Sequence, residues 1–271
     1  MISRFEASLN YVILAIFSVV AIWPVLTILF GAFAAPDANA GAGVLGLHPE
    51  NFASAWREGH FSQFMLNSVM VASVVVVLAV SLSVLAGYAF GTMTFRGSEV
   101  LFYLFLLGIM VPAEAIVVPL FFDLRTLGLI DTIWAVALPQ VAQSIAFGTY
   151  WMRTYFKTSN KSISEAARID GASNGRILWF VQIPIARPAI VTLVVLVFMW
   201  TWNEFLIPLV MSPSGEMRTA PLGLAFFQGQ YSTNTALMSA AAVLVALPVV
   251  IVYLFLQRHF IRGMIEGAVK D

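Results

Sequence analysis

Six apolar stretches, at residues 10–33, 64–90, 100–122, 132–156, 189–210 and 236–256, constrain what this chain can fold into more than anything else in it. Each is long enough, at about 1.5 Å of rise per helical residue, to cross roughly 30 Å of hydrocarbon. A backbone in lipid must satisfy its own polar groups, and a helix does so within a single segment. The expected fold class is therefore all-α: a polytopic membrane protein with six transmembrane helices, forming one domain over residues 1–271. The composition leaves no room for a water-soluble globular domain, with 60% hydrophobic residues, 10% charged residues and a mean hydropathy of +0.90. Zero net charge excludes a strongly basic nucleic-acid binder. With no cysteine there is no disulfide, and thiols say nothing about the redox compartment.

Sidedness follows from the distribution of Lys and Arg. With a cytoplasmic amino terminus, eleven cations fall inside: Arg4, Arg96, Arg153, Lys157, Lys161, Arg168, Arg176, Arg187, Arg258, Arg262 and Lys270. Only three, Arg57, Arg125 and Arg218, fall outside. Cytoplasmic loops carry the excess of Lys and Arg, so both termini are expected in the cytoplasm. The first stretch ends in small residues that faintly resemble a signal-peptidase site. It is longer than the roughly 7–15 residues of a signal core, so an uncleaved first helix is expected. Residues 34–63 suggest a loop with short interfacial helices, one of them opening near NFASAW. In the second stretch Ser73, Ser81, Ser83 and Gly87 are small residues of the kind that let helices pack closely in lipid.

The longest piece expected to stand in water on the cytoplasmic side is 157–188. Ser162 with Glu165 three residues on has the form of a capping box, so a helix is expected to start there. Gly171 supplies the permissive backbone with which helices often stop. Ser173 or Asn174 can cap a second short helix with Ile177, Leu178 and Val181 on its apolar face, and Pro184 is expected to end it. Two alanines, Ala166 and Ala167, expose little bulk, so a partner's groove could approach the backbone.

These residues resemble the EAA loop of the integral membrane subunits of ABC importers. Glu165-Ala166-Ala167 with Gly171 after Arg168-Ile169-Asp170 fits that signature, and Val181-Gln182-Ile183-Pro184 stands where the family has Ile-x-Leu-Pro, with two apolar exchanges. NSVMVA at 67–72, GYAFGTMTFRG at 87–97, LGLIDT at 127–132, WNEFLIPL at 202–209 and the ending QRHFIRGMIEGAVKD extend the resemblance over most of the chain, thinning in the first helix and the following loop. The extended EAARIDGAS form is most similar to the carbohydrate-uptake, maltose-transporter-like branch. The resemblance implies the type I importer permease fold in a bacterial or archaeal cytoplasmic membrane. It implies that Glu165, Ala166, Ala167, Asp170 and Gly171 couple to an ATPase subunit. It also implies a second permease subunit, two ATP-binding subunits that carry ATP and Mg, and an extracytoplasmic solute-binding protein. In relatives a loop just before the last helix reaches into that binding protein, which makes Gln228, Gln230 and Tyr231 candidate contacts.

Residues facing a solute are sought among polar groups inside the apolar stretches. A carboxylate at the bilayer centre costs on the order of 3 kcal/mol, so Glu114 and Glu204 are expected to face protein or water. Glu114 follows Pro112, where a broken helix frees backbone groups that need partners. Trp202, Asn203 and Glu204 combine an aromatic face with polar groups, a mixture suited to a sugar's CH faces and hydroxyls, though tryptophan also marks membrane boundaries. Gln140 and Gln143 could line the same pathway or bond neighbouring helices. HExxH and Walker motifs are absent from the sequence, and the one GxSxG spacing, Gly171-Ala172-Ser173-Asn174-Gly175, lies in the loop between two expected short helices and not at a strand-to-helix elbow, so no catalytic or metal site is expected. Two other readings remain: an ABC permease for a non-sugar solute, and an ion-coupled secondary transporter using Glu114 and Glu204, although no internal repeat is evident.

Overall fold

A computed structural model of the chain describes residues 4–35, 47–159, 161–228 and 234–268. Its elements are helical throughout the described residues. In order they are α1 (Arg4–Gly31), α2 (Glu50–Glu58), α3 (Phe61–Thr92), α4 (Ser98–Met110), α5 (Ala113–Thr126), α6 (Ile133–Thr158), α7 (Lys161–Ile169), α8 (Asn174–Arg176), a π-helical stretch (Ile177–Gln182), α9 (Ile183–Ile185), α10 (Arg187–Asn203), α11 (Leu206–Met211), a 3₁₀ stretch (Ala220–Phe227) and α12 (Thr235–Ala268).

The chain forms two compact units. One comprises Met1–Gln63 and Leu222–Pro248. Within it α1 is apolar on every side, and its side chains from Leu9 to Phe30 are almost all exposed, as suits a helix whose solvent is lipid. Asn51 of α2 donates from Nδ2 to the carbonyls of Ala32 at 3.0 Å and Ala34 at 2.8 Å, satisfying acceptors that the end of α1 leaves free. Phe33 and Phe52 meet edge to face at 5.2 Å. At the start of α2, the Glu50 carboxyl is held below the usual carboxylate range by a backbone N–H and by the His48 ring 2.6 Å away.

The other unit comprises Phe64–Pro221 and Val249–Asp271. Its centre is α6, buried over much of its length from Ala135 to Phe156. Here α3 packs backbone to backbone on α6. A Cβ on Gly87 would fall 2.9 Å from the Arg153 nitrogen, one on Gly91 3.1 Å from the Arg153 carbonyl oxygen, and one on Gly148 2.8 Å from the Ser83 Cβ. Small residues four apart allow this approach, which is the usual basis of close helix contact in lipid. At the same level Arg153 of α6 donates from Nε to the Phe90 carbonyl of α3 at 3.3 Å, stacks on the Phe102 ring at 3.8 Å and pairs with Glu99 at 2.7 Å, which fixes α4.

Three helical segments, Leu9–Gly31, Phe61–Thr92 and Thr235–Gln257, are each long and apolar enough to cross a membrane among the described residues, and two bent pairs qualify if each is counted as one crossing. The stretch expected as one helix at 100–122 is such a pair. Val111 and Pro112 adopt extended backbone between α4 and α5, which diverge by 97°. Proline has no N–H to continue the ladder and disfavours helix in the residue before it. The stretch expected at 189–210 is also interrupted, because Glu204 is extended and α10 stops at Asn203. Pro184 does not end the helical run that precedes it: the run continues to Ile185, turns at Ala186 through 78°, and resumes as α10.

Candidate functional site

The segment read as a docking element is built by local chemistry. Helix α7 already includes Lys161, so Ser162 lies inside its first turn and not ahead of it as the capping-box reading expects. Its end follows expectation closely. Gly171 sits at φ +82°, its N–H donates to the Arg168 carbonyl, and the Ala172 N–H donates to the Ala167 carbonyl at 2.9 Å. That paired 5→2 and 6→1 pattern is the Schellman stop, which needs a left-handed residue and favours glycine. Ser173 then caps the next run, accepting from the Arg176 N–H at 3.5 Å. Ile177, Leu178 and Gln182 are buried, and Gln182 Nε2 donates to Ser164 Oγ at 2.6 Å, tying α7 to the following run. Glu165, Ala166, Asp170 and Gly171 are exposed and Ala167 half-buried, leaving the outer face of α7 open.

The second arrangement is a cavity of about 670 Å³ between the α4–α5 break, α6 and the end of α10. Four of the residues singled out from sequence meet there: Gln140, Gln143, Asn203 and Glu204. They are brought together because α10 breaks at the level where α6 carries its glutamines. Glu204 Oε1 accepts from the Ile207 N–H at 3.0 Å, so the carboxylate holds the start of α11 across the break. Gln140 and Asn203 each donate to the carbonyl four residues back, Val136 at 2.9 Å and Met199 at 2.8 Å, not to a neighbouring helix. Their amide oxygens are thus left over for other partners. Phe147 and Trp200, edge to face at 4.9 Å, supply an aromatic wall. Thr201 also lines the cavity, and its buried Oγ1 meets no hydrogen-bond partner.

Residues 79–266 match the family described as the binding-protein-dependent transport system inner membrane component. The chain belongs to that family. The arabinooligosaccharides transport system permease protein of Halalkalibacterium halodurans is 32% identical, over 94% of this chain and 94% of its own length. The trehalose/maltose transport system permease protein of Thermococcus litoralis is 35% identical over 78% of this chain and 76% of its own. A chain in the crystal structure of a bacterial ABC transporter involved in the import of the acidic polysaccharide alginate matches with a TM-score of 0.80. It covers 96% of this chain and 99% of its own at 24% identity, which establishes a shared fold. Membership in a binding-protein-dependent family sets aside the carrier working alone with Glu114 and Glu204.

Within this inner-membrane component the remaining residues take other places. Trp202 does not line the cavity; it is buried and packs on Phe198 at 5.5 Å, while its neighbour Trp200 faces the opening. Glu114 is exposed in the first turn of α5, where the positive end of the helix favours an acid, and Ala113 beside it reaches the cavity wall. Gln228 is exposed, and Gln230 and Tyr231 lie outside the described residues. Sequence reading passes over the device that shapes residues 212–220. Asp131, at φ +62°, accepts from the Ser214 N–H at 3.0 Å and Ser214 Oγ at 2.6 Å, and Asn67 donates to the carbonyls of Glu216 and Arg218. The stretches NSVMVA and LGLIDT contain these two residues, so the signal was present without its structural meaning.

Proposed function

We propose that this chain is one of two permease subunits of an ABC importer for a carbohydrate, in the cytoplasmic membrane of a bacterium or archaeon. The cavity that joins Gln140, Gln143, Asn203 and Glu204 to the Phe147–Trp200 wall is the observation that carries the reading. A sugar presents hydroxyls to amide and carboxylate oxygens and flat CH faces to aromatic rings, and both kinds of partner meet here. Two relatives named for oligosaccharide or trehalose and maltose transport support the cargo class.

Six crossings fit this role. Helix α6, 26 residues long, would extend about 39 Å, more than the hydrocarbon thickness. Its glutamines and Pro139 lower its hydropathy because most of the helix is enclosed by protein and not by lipid. The α4–α5 pair supplies the third crossing and α10 with α11 the fifth, with irregular backbone at Val111–Pro112 and at Glu204 where each borders the cavity. The exposed face of α7 is then the seat of an ATPase subunit, ATP is hydrolysed there and not in this chain, and a solute-binding protein delivers cargo on the other side, with Gln228, Gln230 and Tyr231 as candidate contacts.

The test is uptake into proteoliposomes that contain the assembled importer, ATP inside and sugar-loaded binding protein outside. Uptake should require ATP, survive a protonophore and be competed by carbohydrate. Uptake abolished by the protonophore at constant ATP would overturn the reading, and uptake of only a non-sugar solute would overturn its cargo.

A further inference from the structure

The helical run Asn174–Ile185 presents a face that the coupling role does not use. Its inner side is fixed at three points: Tyr88 Oη donates to the Asn174 carbonyl at 3.4 Å, Gln182 to Ser164 at 2.6 Å, and Tyr155 Oη to the Ile185 carbonyl at 3.1 Å. With that side anchored, the outer side cannot roll inward. It carries Trp179 and Phe180, 61% and 79% exposed, between Arg176 at one end and Arg187 just past the other, both exposed. Neither guanidinium meets a carboxylate among the described residues.

Orientation decides what can cover this face. The run is bent 78° from α10. If α10 crosses the membrane, as the proposed function holds, the run lies close to the membrane plane, within the ordinary tilt of crossing helices. Its position between the cation-rich segments 153–168 and 187 places it at the cytoplasmic leaflet, the one that carries anionic lipid. Tryptophan and phenylalanine flanked by arginines is the composition of a helix lying in the headgroup layer, with rings at the acyl boundary and cations on phosphate.

We propose that Asn174–Ile185 is an interfacial helix that binds anionic phospholipid of the cytoplasmic leaflet, Trp179 and Phe180 entering the acyl boundary and Arg176 and Arg187 holding phosphates. Because Gln182 ties the run to Ser164 of α7, the lipid bears on the same element that receives the ATPase. Lipid charge would therefore set the resting position of the coupling helix.

The native chain has no cysteine, so single labels can be placed without removing any from it. In the assembled importer with cysteine-free partners, Phe180→Cys carrying a nitroxide is reconstituted with phosphatidylcholine alone or mixed with phosphatidylglycerol. Relaxation by oxygen should exceed relaxation by a water-soluble nickel complex. ATPase activity should change by roughly twofold or more with phosphatidylglycerol, and the R176Q/R187Q pair should lose that response. A nitroxide immobilised and shielded from both reagents would mean that protein covers the face, and one relaxed better by nickel would mean that water does; either overturns the proposal. An ATPase response to phosphatidylglycerol that the double variant keeps also overturns it. Membrane-impermeant maleimide on Arg176→Cys and Glu216→Cys separates the underlying reading: labelling from opposite sides upholds α10 as a crossing even if the lipid proposal fails, and labelling from one side removes both.

Discussion

Two single positions show how local backbone demands set the sites. Gly171 stops α7 at φ +82°, and a Cβ there would meet no atom within 4 Å, so the cost of a side chain is purely conformational. Gly171→Ala should destabilise the assembled permease by about 1 kcal/mol, while Gly171→Asn should cost less because asparagine tolerates the left-handed region. Thermal unfolding of the solubilised importer checks the order of the two. Glu204 spans the break after α10, accepting from the Ile207 N–H at 3.0 Å. Glu204→Gln keeps an acceptor and should retain most transport, whereas Glu204→Ala leaves that N–H without a partner and should cost about 0.5–2 kcal/mol of stability. If both variants lose transport equally while remaining folded, the charge itself is needed. Gly171 was legible because glycine is a residue with which helices often stop and a cap for the next run follows it at Ser173. The partner of Glu204 was not, since nothing in TWNEF says that the helix opens at that point.

At the scale of elements, the close pairing of α3 and α6 depends on the absence of side chains. A Cβ on Gly148 would meet both the Oγ and the Cβ of Ser83. Gly148→Ala should therefore destabilise the solubilised protein by about 1–3 kcal/mol, through overpacking. Adding Ser83→Gly removes the opposing atoms, so the double variant should be more stable than the sum of the two single changes predicts. Additive losses in unfolding measurements would mean that the helices separate freely at this point. Small residues in the second stretch pointed to such a contact, but the partner helix could not be read from them. The break at Pro112 was legible from the proline, but not the 97° divergence that follows it. The break at Glu204 escaped because no proline marks it and hydropathy measures only apolar length. The rotation of α10 was equally hidden. It is apolar nearly all round, and its pattern does not say that Trp200 faces the cavity while Trp202 faces the core.

For the whole molecule, the cavity and the outer face of α7 should fail in different ways, since one is proposed to meet solute and the other the ATPase. Trp200→Ala removes half of the aromatic wall, and Asn203→Leu replaces an exposed amide at the rim with an isosteric apolar group. Neither touches α7, so both variants should assemble with ATPase subunits and hydrolyse ATP when loaded binding protein arrives, yet move less sugar for each ATP consumed. Loss of a stacking partner or of a hydrogen bond to a charged or polar solute group is worth about 1–3 kcal/mol, which corresponds to roughly 5- to 150-fold in the transport step. Ala166→Arg should do the opposite. Ala166 is exposed within a helix that tolerates arginine, so the permease should fold normally, but the guanidinium would stand in the seat of the ATPase. Co-purification of the ATPase should fall, and stimulated hydrolysis and uptake should fall together. Measuring hydrolysis and uptake on the same proteoliposomes therefore separates the two sites. A cavity variant that loses hydrolysis and uptake in equal proportion would show that the cavity acts on coupling and not on cargo, and an Ala166→Arg variant with unchanged ATPase recovery would remove α7 as the seat.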